Sequence, residues 1–220
     1  MADALAETRL RSHLRGSLRT DPGTRELYAC DASIYRRQPR GVVAAACADD
    51  VAVALEMARE AGVPLTMRGA GTSLAGQAVG RGLVVDTSAL RECHVDAERG
   101  TALVQPGVVL NDLNLAAAPH GLTFGPDVAT ANRATLGGMI ANNSAGARSI
   151  VWGLTADAVT ALEVLLADGT RAWLRRGEPA PPALTACLPL AADWEGPGLL
   201  RRVSGYNLDV LGGDTLTGPG

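Results

Sequence analysis

Arg68-Gly69-Ala70-Gly71-Thr72-Ser73-Leu74-Ala75-Gly76-Gln77 lies between two short apolar runs, Pro64–Met67 and Leu83-Val84-Val85-Asp86. Upstream, Val42–Ala46 suits a buried strand. Asp49 or Asp50 can cap a helix over Val51–Ala61, which Gly62 can end. Strand, helix, strand, glycine loop, strand is the order of a nucleotide-binding α/β or α+β unit. Glycines at 69, 71 and 76 permit positive φ and close approach of backbone to a ligand. Successive amides in such a loop form a concave anion site, to which Thr72 and Ser73 add hydroxyls. A pyrophosphate is the natural occupant. The competing reading is a plain glycine turn.

Two other chemistries fit this stretch less well. The dinucleotide fingerprint of a Rossmann-type NAD enzyme needs a small residue where Leu74 stands, and a helix directly afterwards; here Gly80-Arg81-Gly82 and a strand follow. A nucleophile elbow at Gly71-Thr72-Ser73-Leu74-Ala75 lacks its second glycine and its helix. His94 and His120 are isolated, and none of the three histidines is paired at metal-ligand spacing, so no metal site and no catalytic residue is assigned.

A second informative stretch runs from Gly125-Pro126-Asp127 to Thr135-Leu136-Gly137-Gly138-Met139-Ile140-Ala141-Asn142-Asn143-Ser144-Ala145-Gly146. Thr135 can cap a short helix whose start presents the Gly137 and Gly138 amides. Asn142, Asn143 and Ser144 suit the edge of a heterocycle. An ordinary Gly/Asn-rich surface loop is the alternative, but so long a loop in a compact domain is usually functional.

Around these stretches, residues 1–20 read as an amphipathic helix through Leu10, Leu14 and Leu18, stopped by Asp21-Pro22-Gly23. Residues 24–40 are polar and Arg-rich. Arg91–Asp96 and Thr101–Gln105 read as one hairpin, and Val108–Ala118 as a helix stopped by Pro119-His120-Gly121. Ala158–Ala167 and Thr170–Leu174 flank Asp168-Gly169, a strong hairpin signal. Residues 177–198, with five prolines, read as an insertion or linker. Residues 199–211 have helical character and 212–220 a frayed tail.

The 220 residues are 47% hydrophobic and 20% charged, a globular balance able to bury a core. Aromatics are only 3%, so Ala, Val and Leu must build it. All 20 basic residues are Arg, and the absence of Lys excludes Schiff-base and P-loop lysine chemistry. A net charge of −3 argues against a general nucleic-acid partner. No apolar run approaches a membrane span. Four scattered cysteines and an acidic N-terminus without a signal-peptide pattern lead to the expectation of a cytoplasmic protein.

The two stretches, with Tyr28-Ala-Cys-Asp-Ala-Ser-Ile-Tyr35, Pro39 and Val203-Ser-Gly-Tyr-Asn-Leu-Asp209, resemble the FAD-binding domain of the vanillyl-alcohol-oxidase/PCMH flavoprotein superfamily. The likeness covers about residues 24–210. It is nearest the glycolate oxidase and D-lactate dehydrogenase branch, whose long members are fused to an iron–sulfur domain. The resemblance implies an α+β, PCMH-type fold: a lead-in over 1–37, then an FAD-binding domain over 38–211 whose subdomains, 38–90 and 91–211, hold FAD between them. Arg68, Gly69, Ala70, Gly71, Thr72, Ser73, Gly76 and Gln77 would hold the pyrophosphate. Pro126, Asp127, Thr135, Gly137, Gly138, Asn142, Asn143 and Gly146 would line the diphosphate, ribose and isoalloxazine.

Relatives that bond the flavin covalently use a His where Thr72 stands, so non-covalent FAD is expected. The implied chemistry is hydride transfer from a 2-hydroxy acid to the flavin. The Gly-Ser-Glu-Gly-Thr motif and cap domain of relatives do not follow Leu208 here. The expectation is therefore the FAD module of a larger, truncated or split oxidoreductase. It would be inactive alone and need a cap, and in long forms an iron–sulfur domain, from a missing region or a separate chain. The alternatives are a non-catalytic nucleotide-binding fragment that needs a partner chain, and the NAD enzyme above.

Overall fold

The structure is a computed structural model. It describes residues 2–179 together with Pro182 and Ala186, and side chains from Thr8 onward. The expectations for 180–220 otherwise lie outside the described residues, including the Val203–Asp209 motif and the tail. The chain divides into two compact units, Met1–Ala158 and Val159–Gly220.

The first unit opens with helix α1 (Ala2–His13). The leucine spacing suggested that this helix continues through Leu18, but it does not. Ser17–Arg19 is instead strand β1, antiparallel to β2 (Gly41–Ala44). Gly16 explains the break, because a Cβ there would stand 2.0 Å from the Ala44 carbonyl oxygen. The buried Asp50 carboxylate then holds the corner by accepting from the Arg15, Gly16 and Ala46 amides. Asp50 does this from the first turn of α3 (Ala48–Glu60), whose N-cap position is Cys47. The expectation of an Asp49 or Asp50 cap is corrected accordingly.

Asp21-Pro22 is likewise a start and not a stop. It opens α2 (Pro22–Leu27), with the Asp21 side chain accepting from the Thr24 amide and Pro22 in the first turn.

Strands β3 (Leu65–Arg68) and β4 (Leu83–Asp86) complete a four-stranded sheet in the order β1-β2-β4-β3. β2, β4 and β3 are parallel, with Gly41 and Leu65 both opposite Leu83 and Ala44 and Arg68 both opposite Asp86. Val42, Val43, Val84 and Val85 are almost fully buried, as expected of the central strands of a covered parallel sheet. Leu10, Leu18, Ala54 and Met57 pack against Val43 and Val85.

A second core lies beyond residue 90 of the same unit. Hairpin β5 (Cys93–Asp96) and β6 (Thr101–Val104) stands where the sequence places it. Helix α4 (Leu110–Ala117) ends in a 3-10 turn at Ala118–His120, with Gly121 at φ +69°. Its Leu110 and Leu113 pack with Val108, Ala134, and with Leu136 and Met139 of α5 (Leu136–Ala141). The short α6 (Ser149–Trp152) follows. In the second unit, β7 (Ala161–Leu165) and β8 (Arg171–Arg175) form the expected hairpin, with Gly169 at φ +91° in its turn.

Candidate functional site

Parallel strands β2, β4 and β3 end together at Ala44, Asp86 and Arg68. The 69–77 loop leaves from that edge. In a parallel sheet this is where ligands bind, because chain crossings open a crevice at the carboxyl ends. Six consecutive amides, Gly69 through Leu74, make no hydrogen bond among the described residues. Unpaired N–H groups are unusual unless water or a ligand meets them. Gly71 and Gly76 take φ of +67° and +75°, so the run turns as only glycine does at low cost.

The side chains of this loop behave differently from what their types suggest. The Ser73 hydroxyl donates to Gln77 Oε1 at 2.8 Å and accepts from the Ala75 and Gln77 amides. It shapes the loop and is not free for a phosphate. Arg68 is likewise engaged within the protein. Its guanidinium stacks on the Tyr28 ring, 4.9 Å from the centroid, and donates to the carbonyls of Ala78 and Tyr28. A Cβ on Gly71 would stand 2.6 Å from Arg68 Nη2, so Arg68 is the floor under the loop.

Residues to which the motifs give no role form that floor. The Tyr28 hydroxyl donates to Asp86, whose other oxygen accepts from the Ser88 amide. Burial, then the Asp86 bond, pushes the Tyr28 hydroxyl up to about 12. The Ala32 amide donates to Gly71 O, Asp31 accepts from the Ala78 amide, and Tyr35 lies against Gly76. The sequence signal for these residues is the Tyr28–Tyr35 segment itself, which has no recognisable chemistry until the loop folds onto it.

The second stretch meets the first at Thr135. A Cβ on Gly69 would stand 2.2 Å from Thr135 Oγ1, and one on Gly138 3.2 Å from it. Thr135 occupies the N-cap position of α5 with extended backbone, but its side chain does not cap the helix. The hydroxyl is buried and has no hydrogen-bond partner among the described residues.

The Gly137 amide is not presented to a ligand either, since it donates to Pro106 O at 2.9 Å. Gly137 is small because a Cβ would press on Pro106 at 2.6 Å. Asp127 is held by Arg148, which donates to it through both its backbone amide and Nε. Those bonds keep the Asp127 carboxyl below the ordinary carboxylate range. Gly146 closes the same loop, with no room for a Cβ over the Asp127 carbonyl. Asn143, at φ +43°, accepts from the Ala156 amide. Pro126 is fully buried. The half-buried Asn142 side chain makes no hydrogen bond among the described residues. Thr135 and Gly138 therefore join the first loop, while the side-chain contacts of Asp127 and Asn143 stay within residues 127–156.

A surface of unpaired amides beside a buried, unpaired hydroxyl fits an anionic group. The FAD binding domain family matches residues 39–175. The chain belongs to that family. Its cofactor is FAD, and the donors left over here fit that molecule's diphosphate.

Among relatives, D-2-hydroxyglutarate dehydrogenase of Pseudomonas putida is 42% identical over 165 residues, which is 73% of this chain and 16% of that protein. D-lactate dehydrogenase of Archaeoglobus fulgidus is 42% identical over 130 residues, 58% of this chain and 29% of that protein. Glycolate oxidase subunit GlcD of Bacillus subtilis is 37% identical over 149 residues, 66% and 32%. The chain thus spans between a sixth and a third of the length of these relatives.

Solved structures agree on the PCMH-type, α+β FAD-binding fold. Alkyldihydroxyacetonephosphate synthase superposes with a TM-score of 0.72 at 19% identity, covering 81% of this chain and 36% of that one. The 6-hydroxy-D-nicotine oxidase of Arthrobacter nicotinovorans gives 0.68 at 22%, covering 78% and 38%. No described helix is long and apolar enough to cross a membrane.

Proposed function

We propose that this chain is the FAD-holding module of a dehydrogenase that oxidises small 2-hydroxy acids at the carbon bearing the hydroxyl. The observation that carries the reading is the run of six unpaired amides meeting the unpaired Thr135 hydroxyl in a chain of this family. The names of the relatives supply the substrate class. Bound FAD supplies the hydride acceptor.

The chain's own residues bind and orient. The Gly69–Leu74 amides and the Thr135 hydroxyl take the diphosphate oxygens. Asn142 offers its free carboxamide to the ring edge. Arg68 adds positive charge from beneath without being spent on a direct contact. Gly71 and Gly76 hold the curvature, and the Asp127–Arg148 pair with Gly146 closes the second stretch. Thr72 cannot form a histidyl bond, so the flavin is held non-covalently.

No described residue in the two stretches is a free acid, His or Tyr suited to take the substrate's proton. Turnover therefore draws on a substrate-binding cap domain beyond this module, and in long forms on an iron–sulfur domain. The compartment that suits the scattered thiols is the reducing cytoplasm.

The test combines a spectrum with a bleaching assay. Purified protein loaded with FAD should show flavin bands and release all colour into the supernatant after acid precipitation. It should not bleach anaerobically with D-lactate, glycolate or D-2-hydroxyglutarate faster than free FAD does. Adding a separately expressed cap domain should bring bleaching. Colour that stays with the precipitate overturns the non-covalent reading. Protein that takes up no FAD overturns the module itself.

A further inference from the structure

A hairpin-like turn lies against the glycine loop, ahead of the residues 39–175 that match the family. Its stem is closed by an antiparallel bridge between Cys30 and Arg36, and by the Arg37 amide donating to Ala29 O at 2.8 Å. Two local bonds set its tip. The Ser33 amide donates to Asp31 Oδ1 at 2.9 Å, and the Tyr35 amide to Ser33 Oγ at 3.0 Å. Asp and Ser side chains that bond the backbone two residues on fix turns in this way.

The tip meets the loop at three places. The Ala32 amide donates to Gly71 O at 3.0 Å. The Tyr35 ring lies on Gly76, where a Cβ would stand 2.6 Å from Cδ2. Asp31 Oδ2 accepts from the Ala78 amide at 3.2 Å. Ala78 is buried and its carbonyl accepts from Arg68, so both of its polar groups are held. Asp31 thus joins turn to loop, one oxygen shaping the tip and the other fixing the end of the loop.

These contacts bear on the unpaired amides. In a trans peptide the carbonyl and the following amide point in opposite directions. Drawing Gly71 O toward Ala32 therefore aims the Thr72 amide away from the turn, and Thr72 stands within the unpaired run. The bond to Ala78 fixes the far end, so the curvature through Gly71 and Gly76 is held on both sides. A donor array shaped in advance loses less conformational freedom when its ligand arrives. Burial raises the Asp31 carboxyl, but the Ser33 and Ala78 bonds and the Arg68 charge outweigh it and hold the group below its ordinary range. Asp31 is therefore a charged acceptor at neutral pH.

We propose that Asp31 is a positioning residue of the cofactor site, tying the 28–37 turn to Ala78 and so holding the Gly69–Leu74 amides in the geometry that receives the FAD diphosphate. The proposal rests on the reading that those amides take the diphosphate. Asp31 acts through the loop and not by contact, because both of its oxygens already accept from amides.

The test pairs a flavin titration with phosphorus-31 spectra of FAD bound at saturation to the full chain. Wild-type protein should displace the diphosphate resonances from their positions in free FAD. Asp31→Ala should weaken FAD by roughly ten-fold, the worth of one charge-assisted hydrogen bond. It should also move at least one bound phosphate resonance away from its wild-type position. Asp31→Asn keeps one acceptor oxygen and should lie between the two; it carries the same test should the Ala variant not fold. Asp21→Ala is the control, since it removes the cap of α2 in the same part of the chain. It should lower the melting temperature and leave FAD affinity and both phosphate resonances as they are. A merely structural Asp31 would behave like Asp21. Unchanged FAD affinity in Asp31→Ala, bound phosphates that coincide with those of the wild type, or an equal loss of affinity in Asp21→Ala would each overturn the proposal. Wild-type resonances that stay at their free-FAD positions would overturn the diphosphate reading itself, and this proposal with it.

Discussion

In residues 69–74 the backbone amides are unspent among the described residues, and the side chains around them are occupied with one another. Ser73 bonds Gln77 and two loop amides, and Arg68 lies on Tyr28. In residues 127–148 the pattern reverses. The Gly137 amide is taken by Pro106, that of Asn142 by Gly138 and that of Asn143 by Ile140, while the Thr135 hydroxyl and the Asn142 carboxamide are left over. One stretch thus offers main chain and the other offers a few side chains. Substitutions should separate them. In the first loop only changes in backbone shape should matter greatly, whereas in the second single polar groups should matter.

The largest effect is expected from Gly71→Val. At φ +67° a β-branched side chain is strained. Its Cβ would also press on Arg68, displacing a guanidinium that stacks on Tyr28 and donates to Ala78 O. FAD affinity should fall by roughly 100-fold or more, since strain of about 1–3 kcal/mol adds to the lost approach of the amides. Circular dichroism should stay unchanged. Ser73→Ala, by contrast, should cost only a few-fold in a flavin titration. If the two variants behave alike, the first loop does not act through its backbone.

Thr135→Val sharpens the contrast because its two effects have opposite signs. The hydroxyl is buried and unsatisfied, so replacing it by a methyl should stabilise the FAD-free protein by about 1 kcal/mol. The same change removes a donor from the site and should weaken FAD by about ten-fold. Thermal melts without FAD and titration with FAD read the two separately. Unchanged affinity would show that the hydroxyl meets no part of the flavin.

Tyr28→Phe tests the floor of the first loop. The ring under Arg68 remains, but Asp86 loses a donor, so FAD binding should weaken by only a few-fold. Alkaline titration gives a signature that packing alone does not. The Tyr28 hydroxyl is raised from 10.0 to about 12. Its stabilising bond is therefore whole below pH 10 and is lost as pH rises through about 12. The wild type should lose loop order over that window, and the Phe variant should not.

The sheet and both hairpins are legible in the sequence, because Val42-Val43, Val84-Val85 and Asp168-Gly169 are local signals with little competition. Leu18 misleads because its spacing from Leu10 and Leu14 stays helical across Gly16. Only the approach of Ala44 O shows why the chain must turn there. Asp21-Pro22 misleads because the same two residues suit a helix start and a turn. In the two stretches the sequence shows the donor types but not the partners that they take. Ser73, Arg68 and the Gly137 amide all carry donors suited to phosphate, and all three are used by residues far away or on the loop itself. Thr135 stands out only once Gly69 is seen against it.

The smallest expected effect belongs to the Asp127–Arg148 pair, and its sign is set by acid. The Arg148 bonds, and its backbone amide after them, hold the Asp127 carboxyl below its usual range. A carboxyl depressed in the folded protein contributes stability above its unfolded value and loses it as pH falls through the folded one. The closure of the second stretch should thus be complete at neutral pH and weaken only below the ordinary carboxylate range. Arg148 is exposed, so the pair is screened and its weight at neutral pH is small. Asp127→Asn should keep FAD affinity within about two- to three-fold at pH 7. It should also remove the fall in affinity expected of the wild type in acid, measured by flavin fluorescence at constant ionic strength. Adding salt at pH 7 should narrow the gap between the two proteins. A gap that widens with salt, or an acid fall that survives in the Asn variant, would mean that Asp127 meets the flavin and is not spent on Arg148.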